Sequence, residues 1–405
     1  MAASDGNTLG LYISIPFCRS KCTYCNFASG VYPASKHAHY VERLIQDLAA
    51  SSEWAARMGV DLPRQVDTVY LGGGTPSLLA PELLARLFAA MRAEFDLEPE
   101  AEITVECAPG QLADETLRTL VEAGVNRVSL GVQSFIDREA ATCGRLHNRT
   151  TVEEDLRRLR AAGIANLNVD LIAGLAGQTF ASWEESLAAL LESGVPHASV
   201  YMLEVDEDSR LGREVLAGGA RYHAGLVPTD DAIAQMYSTA VDRLGAAGLG
   251  QYEISNFCRP GFASRHNLRY WQRRPYLGLG LDASSMLRAA SSQGFVLRST
   301  TTDDLAAYLE ASTPVEITWL SPEQQHEEAW FLGLRLNAGL DVSALMQEFV
   351  PATLGPALEA VGRLVEAGLL TSDGKTVRLT AQGRLLSNDV FQEFLGPASR
   401  IFSKS

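Results

Sequence analysis

Three cysteines, Cys18, Cys22 and Cys25, fall within eight positions of the stretch "YISIPFCRSKCTYCNF". Thiols this close bind metal or react as nucleophiles in a reducing compartment and pair as disulfides in an oxidising one. The opening "MAASDGNTLG" has neither a basic start nor an apolar stretch, and no apolar run in the sequence is long enough to span a bilayer. A cytoplasmic protein without direct membrane insertion is therefore expected. In that setting the cluster reads as a set of metal ligands. A structural zinc site takes four protein ligands, commonly in paired CxxC spacings, whereas CxxxCxxC offers three. A [4Fe–4S] cluster on three thiolates keeps one iron open to a non-protein ligand. A zinc site completed by Cys107 or Cys258 is the alternative. Cys107, Cys143 and Cys258 are isolated, and buried free cysteine commonly packs as a small hydrophobe.

Other residues could serve such a centre. "LGGGTPS" places Gly73, Gly74 and Thr75 at a strand end, where backbone without Cβ atoms lets a ligand approach closely. Glu106 closes one apolar strand, Gln133 closes the next, Arg145 follows in "CGRLHN", and Asp170 interrupts "LNVDLIAGL". A buried carboxylate needs a partner, so a ligand or an arginine explains Asp170 better than packing does.

The elements that must position these residues follow from the pattern. β-branched runs at 11–15, 66–72, 101–106, 126–133, 166–174 and 197–203 alternate with helical periodicity near 36–57, 81–94, 114–123, 151–162, 182–193 and 229–247. Such alternation predicts an α/β fold with parallel strands and right-handed crossovers, here a partial (β/α)6 barrel resembling an opened TIM barrel. In barrels of this kind, chemistry collects at the C-terminal ends of the strands. The cysteines follow the first strand, and the glycines, Glu106 and Gln133 close the next three. Residues 1–250 are thus expected to form the barrel. Residues 251–319, rich in Gly, Arg and aromatics without clear period, read as a connecting region that carries "HNLRYW". Residues 320–405 predict a smaller, mostly α, winged-helix-like module with a short strand at "TVRLT". With 34 Lys and Arg against 49 Asp and Glu, the net charge of -15 disfavours nucleic acid as a partner.

Together, "YISIPFCRSKCTYCNF", "GGGTPS", "GVQSF", "GRLHNR" and "DLIAGL" resemble the oxygen-independent coproporphyrinogen III oxidase family of the radical S-adenosylmethionine (SAM) superfamily, over about residues 10–380. The resemblance implies a [4Fe–4S] cluster on Cys18, Cys22 and Cys25, with SAM chelating the open iron through its amino and carboxylate groups. It also implies SAM contacts from Tyr12, Tyr24, Gly73, Gly74, Thr75, Glu106, Gln133, Arg145 and Asp170. The family divides into decarboxylating oxidases and haem-binding chaperones of the HemW type. The oxidases carry a fourth cysteine two residues beyond the third, where this chain has Phe27, and an N-terminal extension ahead of the strand that here contains Tyr12. "HNLRYW" is similar to the HNxxYW motif of the chaperone branch. On this resemblance His266, Tyr270 and Trp271 are candidates to hold haem, with Arg269, Arg273 and Arg274 for its propionates. The expected function is that of a haem chaperone delivering haem to client haemoproteins, without coproporphyrinogen oxidase activity. The alternative is a decarboxylase acting on propionate side chains through a 5′-deoxyadenosyl radical.

Overall fold

In the computed structural model of the chain, which describes residues 8–291, 294–310 and 315–396, the six expected strands lie side by side in sequence order. They are β1 (Leu9–Ile15), β2 (Gln65–Gly73), β3 (Asp96–Cys107), β4 (Arg127–Gln133), β5 (Asn166–Ala173) and β6 (His197–Met202), each parallel to the next. Helices Ala34–Met58, Pro81–Glu94, Asp114–Glu122, Arg149–Ala161, Phe180–Glu192 and Asp230–Ala246 alternate with them. The fold is α/β, as expected.

The strands alternate strictly, and the alternation explains the site. Leu11 and Ile13 of β1, Val69 and Leu71 of β2, Val128 and Leu130 of β4, and Val169 and Leu171 of β5 all belong to the main apolar core. Their neighbours, which point the other way, are Tyr12, Thr68, Tyr70, Glu102, Glu106, Arg127, Ser129, Asn168, Asp170, His197 and Ser199. A parallel strand covered on both faces usually reads as one apolar run; here the inner face is polar, so the lumen must satisfy its groups internally. Asn168 Nδ2 donates to Ser129 Oγ at 2.6 Å and to Asp170 at 2.7 Å, and its Oδ1 accepts from His197 Nδ1 at 2.6 Å. The second His197 nitrogen, Nε2, accepts from the Tyr252 hydroxyl at 3.0 Å.

The stretch expected as an aperiodic connection contributes to the same sheet. Strands β7 (Gly250–Glu253) and β8 (Asn256–Cys258) extend it beyond β6. Strands β9 (Tyr276–Leu279), β10 (Ser284–Arg288), β11 (Val296–Thr301) and β12 (Val315–Leu320) extend it beyond β1. These strands are short and interrupted by turns, so no window is long enough to show a period. Tyr40 ties the extension to the barrel, donating to Ser14 O at 2.7 Å and accepting from Leu281 N at 2.8 Å.

From Pro322 the chain builds a second core around Trp330, which stacks on Phe394 at 5.0 Å. Helices Pro322–Leu334, Val342–Glu348 and Pro351–Glu366 pack with a three-stranded antiparallel sheet of Leu340–Asp341, Thr376–Leu379 and Leu370–Ser372. This module is fastened to the barrel at β7. Arg335 lies 3.6 Å from buried Glu253, and Asn337 donates to Gln251 O at 2.8 Å.

Candidate cofactor site at the barrel mouth

The cysteine loop is closed at its base by backbone hydrogen bonds. Cys18 N donates to Gly30 O and Gly30 N donates to Pro16 O, both at 2.9 Å. Phe17, buried and stacked on His37 at 4.0 Å, anchors that base. The middle of the loop is held by Thr23, whose amide donates to Cys143 O at 3.0 Å and whose carbonyl accepts from Leu211 N at 2.8 Å. The glycine turn locks onto the same base. Gly74 N donates to Ile15 O at 2.9 Å, and Thr75 N donates to Phe17 O at 2.8 Å. No side chain is tolerated there: Gly73 has φ of 94°, and a Cβ at Gly74 would stand 2.7 Å from Ile15 O. Thr75 Oγ1 lies 3.9 Å from Cys18 Sγ, and Ser29 Oγ lies 3.8 Å from Cys25 Sγ.

Beneath the thiols lies the polar floor. Tyr70 donates to Glu106 Oε1 at 2.8 Å, and burial pushes that carboxyl up to about 7 despite hydrogen bonds from Tyr70 and Gly73. Asp170 is likewise raised by burial, against hydrogen bonds from Ser199, Asn168 and Ser129. Gln133 adopts φ of 69° at the register shift that ends β4. Arg145 donates to the Tyr24 hydroxyl at 3.2 Å, and its Nε is buried without a protein partner. An unpaired buried guanidinium nitrogen and two carboxyls lining one cavity form the kind of wall that a zwitterionic ligand satisfies.

Eleven of the sequence-derived residues line one cavity of 650 Å³: Cys18, Cys22, Cys25, Tyr24, Gly73, Gly74, Thr75, Glu106, Gln133, Arg145 and Asp170. Tyr12 is not on its wall. It packs behind Tyr70, with ring centres 6.2 Å apart. Among the described residues no group of three or more His, Cys, Asp or Glu side chains converges on a point as ligands of a single metal ion. All three thiols border the cavity. Cys107 also borders the cavity; burial pushes its thiol up to about 12, so it stays protonated.

The haem candidates in "HNLRYW" do not border this cavity. His266 is buried inside the barrel, stacked on Tyr70, with Nδ1 at 3.0 Å from Thr68 Oγ1 and Nε2 at 2.8 Å from the Tyr270 hydroxyl. Both ring nitrogens are engaged by protein hydroxyls. Desolvation and the nearby Arg269 push its pKa down to about 3, so it remains neutral. Trp271 faces the Arg335 guanidinium at 4.3 Å. Arg269 and Arg274 both donate to Asp67, and Arg273 pairs with Glu348 at 2.6 Å. His266 and Arg269 plug the barrel because its polar lumen needs donors and acceptors; none of the haem candidates borders the cavity.

Sequence reading missed part of the wall. Tyr201, at the end of β6, obeys the same strand-end rule as Glu106 and could have been found by it. Arg335 and Leu385 to Asp389 reach the cavity from the C-terminal module. No local signal marks them.

Residues 12–190 match the Radical SAM superfamily and residues 320–386 match the HemN C-terminal domain. Coproporphyrinogen III oxidase (HemN) from Escherichia coli, described as a radical SAM enzyme, superposes with a TM-score of 0.81 over 96% of this chain and 90% of that one, at 22% identity. Fold and site together define a radical SAM protein with a HemN-type C-terminal domain. Heme chaperone HemW of Mycobacterium tuberculosis is 35% identical over 98% of this chain and 97% of its own length. HemW of Lactococcus lactis is 34% identical over 95% and 96%, and HemW of Escherichia coli 31% over 96% and 98%. The chain belongs to the HemW family.

Proposed function

We propose that this protein is a haem chaperone that holds a [4Fe–4S] cluster and SAM at the barrel mouth and delivers haem to client haemoproteins in the cytoplasm. One observation carries the reading: cysteines, glycine turn and strand-end polar residues meet on one cavity in a chain whose near full-length relatives bear the name heme chaperone. Cys18, Cys22 and Cys25 would hold the cluster. Bound there, such a cluster supplies single electrons next to SAM. The chain's own residues do the positioning. The Gly73–Gly74 turn keeps the wall thin, Glu106 offers an acceptor to an ammonium group, Arg145 offers donors to a carboxylate, and Asp170 offers acceptors to hydroxyls. Among the described residues no helix is long and apolar enough to cross a membrane.

The decarboxylase alternative is not favoured. Its support is a likeness of fold at 22% identity, whereas the haem chaperones match at 31–35% over nearly full length. The chain divides near residues 250 and 320; a separate apolar core and the family match from residue 320 support the second boundary. The test is haem transfer from anaerobically reconstituted protein to an apo-haemoprotein. Transfer is expected with the cluster intact, and absence of any haem uptake by this chain would sink the proposal.

A further inference from the structure

We infer that haem lies across the mouth of this cavity, against Phe27, Leu146 and Leu386, with its propionates toward Arg19, Lys21 and Arg335. The inference rests on the haem reading above and gives that cargo a place other than "HNLRYW". Among the described residues, fifteen large hydrophobic side chains are exposed, and four of them, Phe27, Leu146, Tyr201 and Leu386, line this one cavity. Single exposed apolar residues are ordinary; several brought to one concave mouth mark a ligand surface. Phe27 is 62% exposed although its loop is pinned at base and middle, and Leu146 is 63% exposed beside buried Cys143 and His147. Leu386 arrives from the other side, between helices Ala381–Leu385 and Ser387–Gln392. Three distant parts of the chain thus present bare apolar side chains to one opening, which suits a flat apolar ring.

The charges at this mouth suit carboxylates on the ring's edge. In a chain of net charge -15, Arg19, Lys21, Arg145 and Arg335 all line the cavity. Lys21 Nζ donates to Phe27 O at 3.1 Å, so an ammonium sits beside the phenyl-bearing residue. Arg335 lines the same cavity from the C-terminal module; its Nη2 lies 3.6 Å from Glu253, and its Nε is buried without a protein partner. Glu204, Asp206 and Asp389 share the wall, and Asp206 is already engaged by Asn26 and by the Asp208 amide. Among the described residues no histidine lines the cavity, so apolar and ionic contacts rather than an imidazole would hold the ring.

The experiment is a haem titration of the full, cluster-loaded chain followed in the Soret band. It compares the parent with Phe27→Ser, Leu386→Glu, the conservative Phe27→Trp, His266→Gln, and Trp319→Ser on the exposed edge strand. The dissociation constant is expected to rise roughly tenfold or more in Phe27→Ser and Leu386→Glu. It should stay within about twofold in the other three. Unchanged affinity in both mouth variants, or equal weakening in Trp319→Ser or His266→Gln, would overturn the mouth site while leaving haem binding itself standing. A parent that binds no haem overturns the chaperone reading instead. Cluster absorbance and near-ultraviolet circular dichroism confirm that each variant scored is folded.

Discussion

Tyr70 hands its phenolic hydrogen to Glu106 at 2.8 Å in the floor of the cavity, and the same ring stacks on His266 at 5.3 Å. One side chain thus links the cofactor floor to the plug beneath it. The consequences of that burial are measurable.

Glu106 keeps its proton up to about 7 in the fold, while the unfolded chain releases it near 4.5. Between those values the unfolded state loses a proton that the folded state retains, so this residue's contribution to stability falls as pH rises. Glu106→Gln removes the penalty. In denaturant titrations of the cluster-free protein, the variant should gain on the order of 3 kcal/mol over the parent at about pH 8 and almost nothing at about pH 4. An equal difference at both values would show that burial does not hold this proton.

His266 bridges Thr68 and Tyr270 within a closed interior. His266→Ala leaves the Tyr270 hydroxyl without its partner, removes one of the two contacts of the Thr68 hydroxyl and opens a void, so a loss of about 3 kcal/mol is expected in equilibrium unfolding. A surface ligand position would lose almost none.

At Gly74 an added methyl group would meet two backbone carbonyls, 2.7 Å from Ile15 O and 2.9 Å from Phe17 O. Backbone at the root of the cysteine loop cannot give way as a flexible side chain would. Gly74→Ala should therefore lower iron incorporation during anaerobic reconstitution at least severalfold and destabilise the protein by about 1–3 kcal/mol. Full iron loading in this variant would refute the coupling between turn and loop.

Cys22→Ser tests the ligand set directly. Iron and sulfide should fall from about four per chain to near zero, with the far-ultraviolet spectrum of the cluster-free protein unchanged. Retention of iron together with zinc-like stoichiometry would restore the zinc alternative.

Most of the barrel was readable from residues because each of its first six strands carries an apolar half that must face a helix. Val69 and Leu71, or Val128 and Leu130, betray a strand through their period alone. Strands β7 to β12 were not readable in the same way: several span four residues or fewer, and what joins them to the barrel sheet is distant pairing, as β9 pairs with β1. The cavity lining was legible wherever the strand-end rule applied. Tyr12 was the exception, for which the structure shows a place behind Tyr70 rather than on the wall.

The motif "HNLRYW" shows the limit most clearly. Histidine, tyrosine, tryptophan and arginines in one short helix look like a haem ligand set, but residue type cannot say whether a ring nitrogen meets iron or a threonine. Protein contacts of the motif come from Thr68, Asp67 and Glu102, all some 160 residues or more away in sequence, which the fold brings against the helix Arg265–Trp271. Conversely, Phe27 was visible as a departure from a cysteine pattern, and only the fold set it beside Leu146 and Leu386. Sequence alone determined the thiol spacing, the glycine turn and the order of the strands, since these depend on local geometry and periodicity. Which polar groups are spent inside the barrel and which are left facing the cavity depended on long-range packing, and only the tertiary structure decided it.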